Sequence, residues 1–199
     1  MRLVVATRND HKLRELARLL GDVELEPLPE GVVMPPETGE TYAANALIKA
    51  RAAVAATGRP AIADDSGIEA EPLGWGPGVR TARYAGPEAT DAENLDRFVA
   101  EVPPGGRLRY VCVIAHVAPD GAEQLFEAAC EGTMAAARAG AGGFGYDPVF
   151  VPDEGPAGAL AGAGGGDHPR TMAELADAEK DAISHRGGAA RALRAWLGA

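Results

Sequence analysis

Cysteine is almost absent from this chain of 199 residues: Cys112 and Cys130 are the two present, and neither sits in a C-x-x-C or zinc-ligand spacing. That excludes a disulfide-stapled scaffold and a cysteine zinc site, and leaves two small core thiols suited to a reducing, cytoplasmic setting. No apolar run approaches the ~20 residues of a membrane span. Met1-Arg2-Leu3-Val4-Val5 leads directly into a strand pattern rather than a signal peptide. Net positive charge is missing too. At −10, the chain offers no broad surface for nucleic acid or an anionic membrane. A few local lysines and arginines could still bind small phosphates.

A hydrophobic fraction of 46% at this length supports one globular unit with a real core. There is no internal repeat and no linker long enough to separate independent domains, so residues 1–199 read as a single domain. Leu3-Val4-Val5-Ala6 reads as a buried strand, followed by a helix from Asp10 to Leu20 stopped at Gly21. Val23 to Leu28 alternates like a strand, and the proline-rich stretch to Gly39 reads as a loop. An Ala-rich helix spans Thr41 to Thr57, closed by Gly58. A short strand ends at Asp64, with Ser66-Gly67 turning the chain and a further strand to Leu73. Thr90 and Glu93 mark a helix to Glu101. Arg109–Ala118 and Gln124–Gly132 form a hairpin around Pro119-Asp120-Gly121. Val149-Phe150-Val151 is a strand, 155–169 a low-complexity surface insertion, and helices at Ala173–Ser184 and Gly187–Leu197 finish the chain. The class is α/β with a mixed sheet.

Chemistry concentrates in four places. Asp64 and Asp65 stand side by side, and two charges about 5 Å apart at an effective dielectric near 20 repel by roughly 3 kcal/mol. A divalent cation or a shared proton would offset that cost; a solvated turn is the plainer alternative. Successive strand side chains face opposite ways, so both acids need not serve one ion. Thr7-Arg8-Asn9-Asp10-His11-Lys12 lies at a strand-to-helix junction, where N–H groups and cationic side chains suit an oligophosphate. It lacks the glycines of a Walker A loop, and Asn9 or Asp10 would serve equally as a helix cap. Asn45 and Lys49 share a helix face, with Glu37 before that helix. Gly142 to Pro148 offers Phe144 or Tyr146 as a stacking face, close backbone approach at Gly145, and Asp147 as an acceptor. Lys180, His185 and Arg186 gather donors near the final helix.

In this order and spacing, Ala6–Glu15, Glu37–Ala50, Ala61–Gly67, Ala82–Gly86, Gly142–Pro148 and Glu179–Gly187 resemble the non-canonical purine nucleoside triphosphate pyrophosphatases, the inosine/xanthosine triphosphate-hydrolysing family. The resemblance spans nearly the whole chain. It implies an elongated two-lobed α/β fold with a cleft, homodimers, and Mg²⁺-dependent cleavage between the α- and β-phosphates. Asp65 matches the proton acceptor and metal ligand, and Glu37 a further acid near the metal. Lys49 matches a lysine near the phosphates, Thr7 to Lys12 the phosphate segment, and Ser66 a substrate contact. Phe144, Gly145, Tyr146, Asp147, Lys180, His185 and Arg186 match residues that bind the nucleotide and its base. Two departures stand out: the insertion at 155–169, and Ala44 where relatives often carry an acid. The competing readings are a nucleotide sensor without turnover and a modified-pyrimidine pyrophosphatase. Asp65 with Lys49 argues against the first, and His185-Arg186 after Lys180 against the second.

Overall fold

A computed structural model describes residues 2–154 and 169–198, so the expected insertion lies, apart from Pro169, outside the described residues. Strands are β1 (Arg2–Val5), β2 (Glu24–Pro27), β3 (Ala61–Ala70), β4 (Gly76–Pro77), β5 (Arg107–Val117), β6 (Glu123–Met134) and β7 (Phe150–Pro152). Helices are α1 (Asp10–Leu20), α2 (Tyr42–Thr57), α3 (Asp91–Glu101), α4 (Asp177–Ile183) and α5 (His185–Leu197). The sheet runs β2-β1-β3-β5-β6-β7, with β4 paired to β3. It is mixed: β1 is parallel to β2 and β3, while β3–β4 and β6–β7 are antiparallel.

The helix boundaries follow from their caps. Thr41 Oγ1 accepts the Ala44 N–H ahead of α2, and Gly58 closes it in the left-handed region at φ 65°. Thr90 and Glu93 complete a capping box for α3. The chain groups into two compact units, Met1–Ser66 with Cys112–Ala128 and Arg186–Ala199, and Gly67–Val111 with Ala129–His185. Each has its own core. Leu3, Val5, Leu16, Leu20, Ile62, Ile114 and Leu193 are among the residues that fill the first. Ile68, Phe98, Leu108, Tyr110, Phe150 and Met172 are among those that fill the second. No helix among the described residues is long and apolar enough to cross a membrane.

Two expectations need correction. The paired acids do not end a strand, and Ser66-Gly67 make no turn, because β3 continues to Ala70. Side chains satisfy backbone donors there: Ser66 N–H donates to Asp65 Oδ1 at 3.0 Å, and Ile68 N–H to Thr81 Oγ1 at 2.9 Å. The extended backbone therefore persists. The helix expected over Ala173–Ser184 is also broken, since Leu175 and Ala176 are extended (ψ 143° and 154°). Each side of the break carries its own cap, with Thr171 N–H donating to Glu174 and Ala176 N–H to Glu179.

Candidate active site

In the first unit, β3 gives its two acids different partners. Asp64 and Asp65 are buried, at 1% and 5% exposure. Asp64 Oδ2 lies 3.0 Å from Lys12 Nζ and 3.1 Å from Arg186 Nη2. Burial alone would raise the Asp64 carboxyl, but Lys12, Arg186 and Lys49 outweigh it and hold the group well below the usual carboxylate range. Asp64 is a fixed anion and a poor proton acceptor.

Asp65 differs. Its Oδ2 accepts a hydrogen bond from Asn45 Nδ2 at 3.0 Å, and its Oδ1 lies 3.9 Å from Lys49 Nζ. Burial pushes its carboxyl up; Lys49 and the Asn45 bond oppose this, Glu37 adds to it, and the net shift is upward. A carboxylate with raised proton affinity suits a general base. Lys49 Nζ donates to Glu37 Oε1 at 2.5 Å. Burial disfavours the Lys49 ammonium, yet Asp64, Asp65 and Glu37 more than compensate, so Lys49 remains a cation. Among the described residues no group of three or more His, Cys, Asp or Glu forms a metal cage. Glu37 and Asp65 are two hard oxygen donors, a set that suits a small cation completing its shell with water and substrate oxygens.

Local structure explains the placement. Asn45 and Lys49 lie one turn apart on α2, and Gly39 N–H donates to Asn45 Oδ1 at 2.8 Å. A Cβ at Gly39 would fall 2.7 Å from both Ala44 Cβ and Asn45 Oδ1, so glycine alone lets the Glu37 loop approach this closely. At the entry to α1, Asn9 N–H donates to Thr7 Oγ1 at 3.1 Å. Asn9 Oδ1 accepts the N–H groups of His11 and Lys12 at 2.9 and 3.1 Å. Arg8 donates to Val32 O at 2.7 Å and Pro29 O at 3.4 Å, tying down the loop before Glu37. The hydrogen bonds of Arg186, 1% exposed, include four to nearby side chains. Two go to Asp64 Oδ2 (3.1 and 3.4 Å), one to Glu15 Oε2 (2.5 Å) and one to Ser66 Oγ (2.9 Å).

In the second unit, the glycine-rich loop wraps a carboxylate. Asp147 Oδ2 accepts Phe144 N–H at 2.9 Å and Lys180 Nζ at 2.7 Å, and Oδ1 accepts Tyr110 O–H at 3.2 Å. Gly143 has φ 69°, and a Cβ there would lie 2.0 Å from Asp147 Oδ2. Lys180 Nζ also sits 5.3 Å over the Phe144 ring. Tyr146 donates to Thr81 O at 2.9 Å and meets Phe98 edge-on at 5.0 Å, which makes it a core residue. His185 stacks on Tyr110 at 4.6 Å.

Known proteins match this chain over nearly its whole length. The pattern of the Ham1 family matches residues 3–196. The chain belongs to the Ham1 family. A curated relative from Cutibacterium acnes, named dITP/XTP pyrophosphatase, is 45% identical over 96% of this chain and 94% of its own. One of the same name from Symbiobacterium thermophilum is 47% identical over 94% and 90%. Among solved structures, the Staphylococcus aureus Ham1 protein is similar with a TM-score of 0.80 at 32% identity, covering 100% of this chain and 98% of its own. A Mycobacterium abscessus protein described as a nucleoside-triphosphatase / dITP/XTP pyrophosphatase gives 0.70 at 42% identity, with 100% of both chains covered.

This Ham1 chain brings Glu37, Lys49 and Asp65 together, and gathers Lys12, Ser66 and Arg186 around Asp64. Phe144, Asp147 and Lys180 form the second unit's cluster, to which Tyr110 links His185; Gly145 follows Phe144 at φ 61°. Thr7 and Asn9 act on backbone, while Arg8, Asp10 and His11 are exposed. Two residues not singled out from sequence bond to candidate site residues, Glu15 to Arg186 and Tyr110 to Asp147, and Asn45, singled out beside Lys49, bonds to Asp65. Asn45 had a signal, one turn from Lys49. Glu15 had only its place between Leu13 and Leu16, and Tyr110 read as an ordinary strand residue.

Proposed function

We propose that this Ham1 protein hydrolyses ITP, dITP and XTP to the monophosphate and pyrophosphate, removing deaminated purine nucleotides from the pool. The observation that carries the reading is Asp65, a buried carboxylate beside the Lys49 cation, which also binds a second acid, Glu37. The names of the relatives at 45% and 47% identity support the same substrates and do not favour a sensor or a pyrimidine enzyme.

Mg²⁺ held by Glu37 and Asp65 would neutralise phosphate charge and lower the pKa of nearby water. Asp65 accepts the proton of the attacking water. Lys49 and Lys12 meet the charge that shifts to the leaving pyrophosphate, with the Thr7–Lys12 segment and Ser66 orienting the triphosphate. Phe144 offers the purine a stacking face and Asp147 an acceptor for ring N–H. Lys180 and His185 supply donors to the 6-oxo group, which the adenine amino group cannot accept; such a mismatch can separate substrates by ~10⁴-fold. Arg186 joins them at the base, as the resemblance implies, and its bonds to Glu15, Asp64 and Ser66 would also hold Ser66. A cytoplasmic homodimer belongs to the same proposal, and two free buried thiols fit that compartment.

The test is a panel of ITP, dITP, XTP, GTP, ATP and modified pyrimidine triphosphates with Mg²⁺ and product identification. Pyrophosphate from ITP and XTP, with ATP spared, is expected. Orthophosphate release, or no turnover of ITP and XTP, would refute the reading.

A further inference from the structure

We infer that Tyr110 is a positioning residue for the purine end of the site, holding Asp147 and His185 in register with each other. This rests on the proposed assignment of those two residues to the base. The Tyr110 ring lies between two others: Phe150 at 4.4 Å and 25° on one contact, His185 at 4.6 Å and 13° on the other. A ring stacked so nearly parallel fixes the plane in which the imidazole presents its nitrogens. The same side chain reaches the carboxylate, donating its O–H to Asp147 Oδ1 at 3.2 Å.

Asp147 is 4% exposed, and its Oδ2 already serves Lys180 and the Phe144 N–H. A carboxylate offers about four acceptor directions, so the Tyr110 bond on Oδ1 determines how the remaining capacity is aimed. Burial, then Asp147, push the Tyr110 hydroxyl well above its ordinary pKa. It stays a donor at any working pH. Tyr110 thus acts through Asp147 and His185 and touches no reacting atom in this account.

Tyr110→Phe keeps the stack and deletes the O–H. The expected result is a KM for ITP raised roughly tenfold, with kcat and inhibition by inorganic pyrophosphate unchanged, since pyrophosphate reports on the phosphate end alone. Tyr110→Leu removes the stacking face as well, and is expected to narrow the ITP-over-ATP ratio of kcat/KM further than Tyr110→Phe does. If the leucine variant does not fold, the phenylalanine variant carries the test. An unchanged KM in folded Tyr110→Phe overturns the inference. So does a KM rise accompanied by lower kcat and weaker pyrophosphate inhibition, which marks a general structural effect. A wild-type chain that neither binds nor hydrolyses ITP overturns the functional reading and this inference with it; an active wild type beside an indifferent Tyr110→Phe overturns this inference alone.

Discussion

Replacing Arg186 with methionine removes a guanidinium that is 1% exposed and bonded to Glu15, Asp64 and Ser66. Asp64 keeps Lys12 at 3.0 Å, whereas Glu15, 7% exposed, loses the cation 2.5 Å away. Removing one partner of a buried pair costs about 3–5 kcal/mol, because the other charge stays buried. At about 2–4 °C per kcal/mol for a chain of this size, the melting temperature should fall by roughly 6–20 °C. The loss depends on pH. Asp64 has its carboxyl depressed on folding, so it contributes stability above the ordinary carboxylate pKa and loses it as pH falls through the folded value. Arg186→Met weakens that depression, so the gap between variant and wild type narrows below about pH 4. Urea unfolding in metal-free buffer at several pH values measures this. Glu15→Gln in the Arg186→Met background should recover part of the deficit. A loss under about 1 kcal/mol, or one that does not change with pH, would refute the ion-pair argument.

Lys49→Met leaves Glu37 and Asp65 without their shared cation, and should lower kcat for ITP by roughly 10²-fold or more in steady-state assays; wild-type turnover would contradict the role. Gly143→Ala strains a left-handed backbone and drives a Cβ into Asp147 Oδ2. It should cost roughly 1–3 kcal/mol by thermal unfolding and raise KM for ITP while inhibition by pyrophosphate persists.

Much of the fold is legible from local rules. Gly21, Thr41, Gly58 and Thr90 end or begin helices where such residues should, and Pro119-Asp120-Gly121 joins the expected hairpin. The errors arise where distant groups replace local ones. Ser66-Gly67 reads as a turn because its residues favour turns, but β3 runs on through them to Ala70, with the Thr81 side chain accepting the Ile68 N–H from 13 positions away. Asp64 and Asp65 divide between Arg186 and Lys49 as strand alternation requires. The Glu15–Arg186 and Tyr110–Asp147 bonds join residues 171 and 37 positions apart, and neither spacing leaves a mark on local sequence.

Asp65→Asn isolates the central claim. The amide retains an oxygen to accept the Asn45 N–H and forfeits proton acceptance. Steady-state turnover of ITP, read as pyrophosphate released, is predicted to fall by about 10²–10⁴-fold while calorimetry still detects ITP binding. Turnover close to wild type would contradict Asp65 as the proton acceptor.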